Sequence, residues 1–161
     1  MSLKASIGEK LKRAKSWEKL SIAAEEWRQS RSHDLDGLLL DLNRGYQHRN
    51  RPQVALAAVK LRSIHEKLVP ALASIVRESC WTEKEDTPEE RAHWAAVQKE
   101  TEGRLAIWLR DFMTAIRNLE LGLMFDEATT IGQAGTALPP AKEALFANIG
   151  KMLAELKRVD S

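Results

Sequence analysis

Leucine, isoleucine, alanine and tryptophan recur every three or four residues through most of the chain, which is the spacing of one buried face of an α-helix. The first such stretch runs from Leu3 to Trp27 and predicts a first helix. A second stretch follows Ser32, a residue type that favours a helix N-cap, and continues from Leu35 to Tyr46. The pattern therefore predicts two separate helices in the first third of the chain.

Two longer apolar stretches occupy the middle of the chain. The stretch from Val54 to Cys80 predicts a third helix, which Asn50 can cap with Pro52 in the first turn. A kink is predicted at Pro70, because proline removes a backbone hydrogen bond. A fourth helix is predicted to begin at Pro88, since Thr87 can cap it and proline is favoured in a first turn. Its apolar seam continues to about residue 125, so this helix is predicted to be the longest element and the spine of the fold.

The segment that follows has the composition of a loop. Residues 126–140 read DEATTIGQAGTALPP and contain glycines, threonines and a double proline. They predict a linker at about 126–140, followed by a C-terminal helix at about 141–158. No stretch alternates in the manner of a β-strand. The chain is therefore predicted to be one all-α domain over residues 1–161, an antiparallel helical bundle of about five helices.

Composition and charge narrow the class of protein. Of 161 residues, 43% are hydrophobic and 30% are charged, which is typical of a soluble globular domain. One cysteine, no secretory signal pattern and no long apolar run predict a cytoplasmic protein without a membrane span. The formal net charge is +2, but residues 1–62 carry 13 Lys and Arg against 7 acids and the remainder is acidic overall. This asymmetry permits an anionic partner, and equally permits charge pairing between the two halves of the chain.

Signatures of catalysis and of metal binding are weak. Glu90-x-x-His93 is half of the motif that di-iron carboxylate bundles use, but the second half is missing, and a solvated helix start is the favoured interpretation. Cys80 is predicted to be structural, since the negative end of a helix dipole raises a thiol pKa. The common nucleotide, nucleophile and zinc motifs do not occur. No catalytic residue, metal ligand or cofactor is predicted.

A basic cluster between the second and third helices is the candidate contact for an anionic partner. It has the sequence RGYQHRNR, and its candidate residues are Arg44, His48, Arg49 and Arg51. Arginines can neutralise phosphates, and Tyr46 could stack on a base. The same side chains can instead cap a helix end or pair with acids such as Asp41, which is the favoured interpretation.

Apolar residues of the last two helices are the candidate contacts for a protein partner. Trp94 and Trp108 are spaced to lie on one face of the long helix, where they either fill the core or anchor a partner. The last helix, predicted to hang on a long linker, is the element most able to dock elsewhere or to swap between protomers. Its candidate residues are Leu145, Ile149 and Met152.

These observations favour a non-catalytic protein-interaction module, an adaptor or scaffold that binds another protein or itself. The alternative is a nucleic-acid-associated subunit that uses the basic N-terminal third. An enzyme with a site assembled from distant residues is the least favoured class, because such a site leaves no short motif.

Overall fold

The computed structural model describes the backbone of residues 3–156 and the side chains of residues 17–156. It contains four helices: α1 (Leu3–Gln47), α2 (Arg51–Ser79), α3 (Pro88–Met124) and α4 (Ala128–Glu155). No β-strand occurs within residues 3–156. The all-α class is thus confirmed, but the predicted count of about five helices is wrong.

The first two predicted helices are one continuous helix, α1. Ser32 lies inside this helix and does not cap a new one. The segment between Trp27 and Leu35 contains no glycine or proline that would end a helix, and Arg31 approaches Asp34 at 3.4 Å across one turn. The half-buried stem of Arg31 continues the seam of α1 where no apolar residue is present. Serine acts as an N-cap only where its own backbone is not helical, and the backbone at Ser32 is helical.

The predicted linker at 126–140 is also wrong, because α4 begins at Ala128 and passes through Pro139 and Pro140. The buried residues Ile131, Ala134 and Leu138 recur at helical spacing within this segment. Their burial outweighs the weak helix propensity of the surrounding glycines, threonines and prolines. The predicted end of this helix at about residue 158 lies outside the described residues.

The predicted starts of α2 and α3 agree with the structure. The Asn50 side chain accepts a hydrogen bond from the backbone N–H of Gln53 at 3.2 Å, and Thr87 accepts one from Glu90 at 3.1 Å. The helix α3 spans nearly the predicted range, but it has 37 residues against 45 in α1, so it is not the longest element.

Each helix packs against two others, since α1 contacts α2 and α4, and α3 contacts α2 and α4. Between α2 and α3, the guanidinium of Arg62 donates to the carboxylate of Glu120 at 2.6 Å and 2.7 Å. This hydrogen bond lowers the pKa of Glu120. Three residues further along α2, the ring of His65 lies 2.8 Å from the carbonyl oxygen of Leu109. Residue numbers therefore rise along α2 as their partners' numbers fall along α3.

Charged residues also join α1 to α4. Lys142 is buried at 3% exposure, and its ammonium group lies 2.8 Å from the carboxylate of Asp36. The same ammonium sits 5.5 Å from the ring centre of Phe146. Further along, Arg28 donates to the carbonyl oxygen of Phe146 at 3.2 Å. These contacts hold the second half of α4 against α1.

The core lies along the axis that the four helices share, and α4 contributes as many buried residues to it as α2 does. No helix segment within residues 3–156 combines the length and apolarity that a bilayer crossing needs. The largest fully buried side chains are Leu35, Leu61, Leu68, Leu72, Phe112, Ile116, Leu119, Leu138, Leu145, Ile149, Met152 and Leu156.

Candidate functional site

The turns after α1 and after α3 have the same backbone geometry. In the first turn the N–H of Asn50 donates to the carbonyl of Gly45 at 2.8 Å, and Arg49 is left-handed at φ 52. In the second, the N–H of Glu127 donates to the carbonyl of Gly122 at 2.9 Å, with a left-handed residue at φ 54 in the matching place. A six-to-one hydrogen bond beside a left-handed residue defines the Schellman motif.

A glycine two positions before the last residue of α1, and another at the same place in α3, lets the next helix approach closely. A Cβ atom built on Gly45 would lie 3.0 Å from the side chain of Val54. One built on Gly122 would lie 2.9 Å from the side chain of Ile131 and 3.0 Å from its backbone nitrogen. Each glycine therefore lies against the residue nine positions later in the chain, and both turns are tight.

Arg51 joins the two turns at one end of the molecule. Its guanidinium donates to the carboxylate of Asp126 and to the carbonyl oxygen of Leu123. A small cavity of about 190 Å³ lies between the turns, with Tyr46 and Arg49 on one side and Asp126 on the other. Of the four basic residues proposed for an anionic partner, Arg51 thus already has a partner within the chain.

The other three basic residues are exposed at this same end. Arg44 lies in the last turn of α1, and His48 and Arg49 follow that helix directly. Within residues 17–156, the side chains of Arg44 and Arg49 form no ion pair or hydrogen bond. Their charges are available to an external group.

Exposed apolar side chains that the sequence pattern does not indicate lie at the same end of the molecule as these cations. Met124 is 72% exposed and Phe125 is 66% exposed, at the end of α3 and directly before Asp126. Tyr46 is also exposed, and its hydroxyl lies against Gly132 of α4. We call the set formed by Arg44, Tyr46, His48, Arg49, Met124 and Phe125 the turn-end surface.

The residues proposed for a protein partner lie elsewhere. Trp94 and Trp108 are half-buried and pack against the core from α3. Leu145, Ile149 and Met152 are almost completely buried, because α4 packs between α1 and α3. These three side chains form the core of this chain and leave no accessible surface for a partner.

The weak chemical candidates differ in their exposure. Glu90 and His93 lie exposed on the first turns of α3, while Cys80 is buried at the end of α2. Among the side chains of residues 17–156, no three from His, Cys, Asp or Glu converge as a metal site would require.

A comparison with protein-family models finds no match to the chain. Comparisons with curated proteins and with solved structures find none either. The geometry of the molecule is thus the basis for its functional interpretation.

Proposed function

We propose that the protein is a non-catalytic adaptor or scaffold module, an antiparallel four-helix bundle that binds another protein through the turn-end surface. The observation that carries the proposal is the exposure of Met124 and Phe125 at the same end of the molecule as Arg44 and Arg49, two cations that have no ion pair within residues 17–156. Adjacent exposed apolar residues at the tip of a helix pair lose solvent contact only when a partner covers them. Arginine and aromatic side chains are also the types that contribute most to protein interfaces.

The charge of the surface indicates the chemistry of the partner. A symmetric contact between two copies that is centred on Arg44 and Arg49 would bring these cations close to those of the second copy, and such like-charge contacts are unfavourable. We therefore infer a partner that presents an apolar side chain flanked by carboxylates.

Arg49 supplies independent support for this proposal. A left-handed backbone costs an ordinary residue about 1 kcal/mol that glycine does not lose, and such strain is concentrated at functional sites. The matching residue of the second turn, Asp126, has a structural use for its side chain, because it pairs with Arg51. Arg49 has no such pairing within residues 17–156, which is expected if its side chain serves a partner.

We expect a helical peptide with one leucine stripe flanked by glutamates to bind the protein at least tenfold more tightly than the same stripe flanked by lysines. Replacing Met124 and Phe125 with serine should weaken binding of the glutamate peptide by about tenfold or more, since interface anchors typically cost more than 1 kcal/mol when truncated. Fluorescence anisotropy of labelled peptides measures both effects.

The matched control replaces Leu56 and Val59 with serine, because these residues are equally exposed on the outer side of α2. This control should bind as the unaltered protein does. Equal binding of the two peptides, or equal loss in both double variants, would contradict the proposal. Binding of labelled RNA or DNA at low salt that depends on Arg44 and Arg49, but not on Met124 and Phe125, would favour the nucleic-acid alternative.

Arg49→Gly tests the strain argument. The variant should be more stable by about 1 kcal/mol, because glycine adopts the left-handed backbone without a Cβ clash, and it should bind the glutamate peptide less well. Arg49→Ala should lose the same binding without the gain in stability. Urea unfolding followed by circular dichroism compares the two. Equal stability of the glycine and alanine variants would mean that the backbone at this position is not left-handed.

A further inference from the structure

A groove separate from the turn-end surface runs between α1 and α2, with a volume of about 540 Å³. Its floor is apolar. Leu38 and Ile64 are half-buried and present part of their side chains to the groove, and Leu68 lies completely buried beneath them. Trp27 forms one wall with a half-buried indole.

The rim of the groove is cationic. Lys60 and Lys67 lie two helical turns apart on α2, and within residues 17–156 neither forms an ion pair. On the opposite side, Arg31 has only the long 3.4 Å contact with Asp34 and a 3.3 Å hydrogen bond to a serine. Three cations and one carboxylate thus surround an apolar floor.

Arg31 also has unused hydrogen-bonding capacity. Its Nε atom is shielded from solvent and has no acceptor among the described residues. An unpaired buried donor costs free energy, so the guanidinium gains by turning toward an acceptor that enters the groove. Arginine in this position suits a planar, two-oxygen anion such as a carboxylate.

We propose that this groove binds one small amphipathic anion, a monomeric long-chain carboxylate or a close chemical analogue. Its apolar chain lies on Leu38 and Ile64 beside Trp27, and its anionic head lies among the rim cations. The volume is in the range of small-molecule sites, which is roughly 300–1,000 Å³. A partner helix would need to bury about 800 Å² on this side. The short stretch of two helices that forms the groove is too small for a contact of that area.

Isothermal titration with dodecanoate below its micelle concentration tests the proposal. We expect one site per chain, with dodecanol binding about tenfold more weakly because it lacks the charge that strengthens hydrogen bonds. Replacing Lys60 and Lys67 with alanine should weaken dodecanoate binding by about tenfold and leave dodecanol binding unchanged. Ser63→Trp fills the groove from an exposed position and should remove the binding of both compounds.

The matched control replaces Lys99 and Lys151 with alanine, since these exposed lysines lie on α3 and α4 away from the groove. It should bind dodecanoate with unchanged affinity, and thermal unfolding should show that all variants remain folded. The proposal fails if dodecanoate does not bind, if dodecanol binds equally well, or if Ser63→Trp has no effect. Binding to phosphatidylserine vesicles that survives Ser63→Trp, without binding of monomeric dodecanoate, would indicate a membrane surface and would also overturn it.

Discussion

Ile149→Asp is expected to unfold the protein or to lower its free energy of unfolding by about 4 kcal/mol or more. Ile149 is 0% exposed in the core, so the substitution removes buried apolar surface and places a carboxylate where water cannot reach it. Ala144→Asp, on the exposed side of the same helix, is expected to change stability by less than about 0.5 kcal/mol. Urea titrations followed by circular dichroism compare the two variants directly.

This pair of variants distinguishes two roles for α4. If α4 packs within its own chain, only the buried position is sensitive. If Ile149→Asp were as stable as Ala144→Asp, the apolar face of α4 would be free, and docking of this helix on a partner would regain support. In that second case, Ile149→Asp should also abolish any dimer that exchanges α4 between protomers, as measured by size-exclusion chromatography.

The sequence predicts the packing face of α4 better than its start. Leu145, Ile149 and Met152 recur at helical spacing, which is visible without knowledge of the partner helices, and the structure buries the face that they share. The start was missed because Pro139 and Pro140 are unfavourable in a helix interior when judged alone. Only tertiary contacts, such as the burial of Leu138, reveal that the helix continues through them.

Only the basic half of the candidate site could be predicted from the sequence. The basic turn from Arg44 to Arg51 is contiguous in sequence and was found as a cluster of one residue type. Its apolar neighbours Met124 and Phe125 are more than 70 positions away, and the folded arrangement of two helix pairs brings them to the same end. The sequence does not indicate that Arg31 and Lys60 line one groove for the same reason, since they come from different helices.

A signal for the tight turns was present in the sequence, however. Gly45 and Gly122 each precede the next helix by the same interval, and each has a β-branched apolar residue nine positions later. Helix propensity alone presents Gly122 as a local weakness of α3. The structure gives it a packing role, because any side chain there meets the backbone of α4.

Alanine at Gly122 and at Gly103 is therefore expected to change stability in opposite directions. Gly103→Ala should raise the free energy of unfolding by up to about 1 kcal/mol, because nothing lies within 4 Å of the added Cβ atom and alanine favours the helix. Gly122→Ala should lower it by about 1–3 kcal/mol, the usual cost of overpacking, since its Cβ atom would lie 3.0 Å from the backbone nitrogen of Ile131. Both substitutions add the same methyl group to the same helix, so their difference isolates the contact with α4.

The neighbour of Gly122 can be altered to confirm the cause. Ile131→Ala removes the Cγ1 atom that would lie 2.9 Å from the added Cβ atom, but it leaves the backbone nitrogen of residue 131 in place. If the backbone contact dominates, this second substitution should recover only a minor part of the stability that Gly122→Ala loses, as measured in a double-mutant cycle by urea unfolding. Stabilisation by Gly122→Ala equal to that by Gly103→Ala would mean that α3 and α4 do not approach closely at their turn. The turn-end surface would then lose the geometry that brings Met124 and Phe125 to the same end as the basic turn.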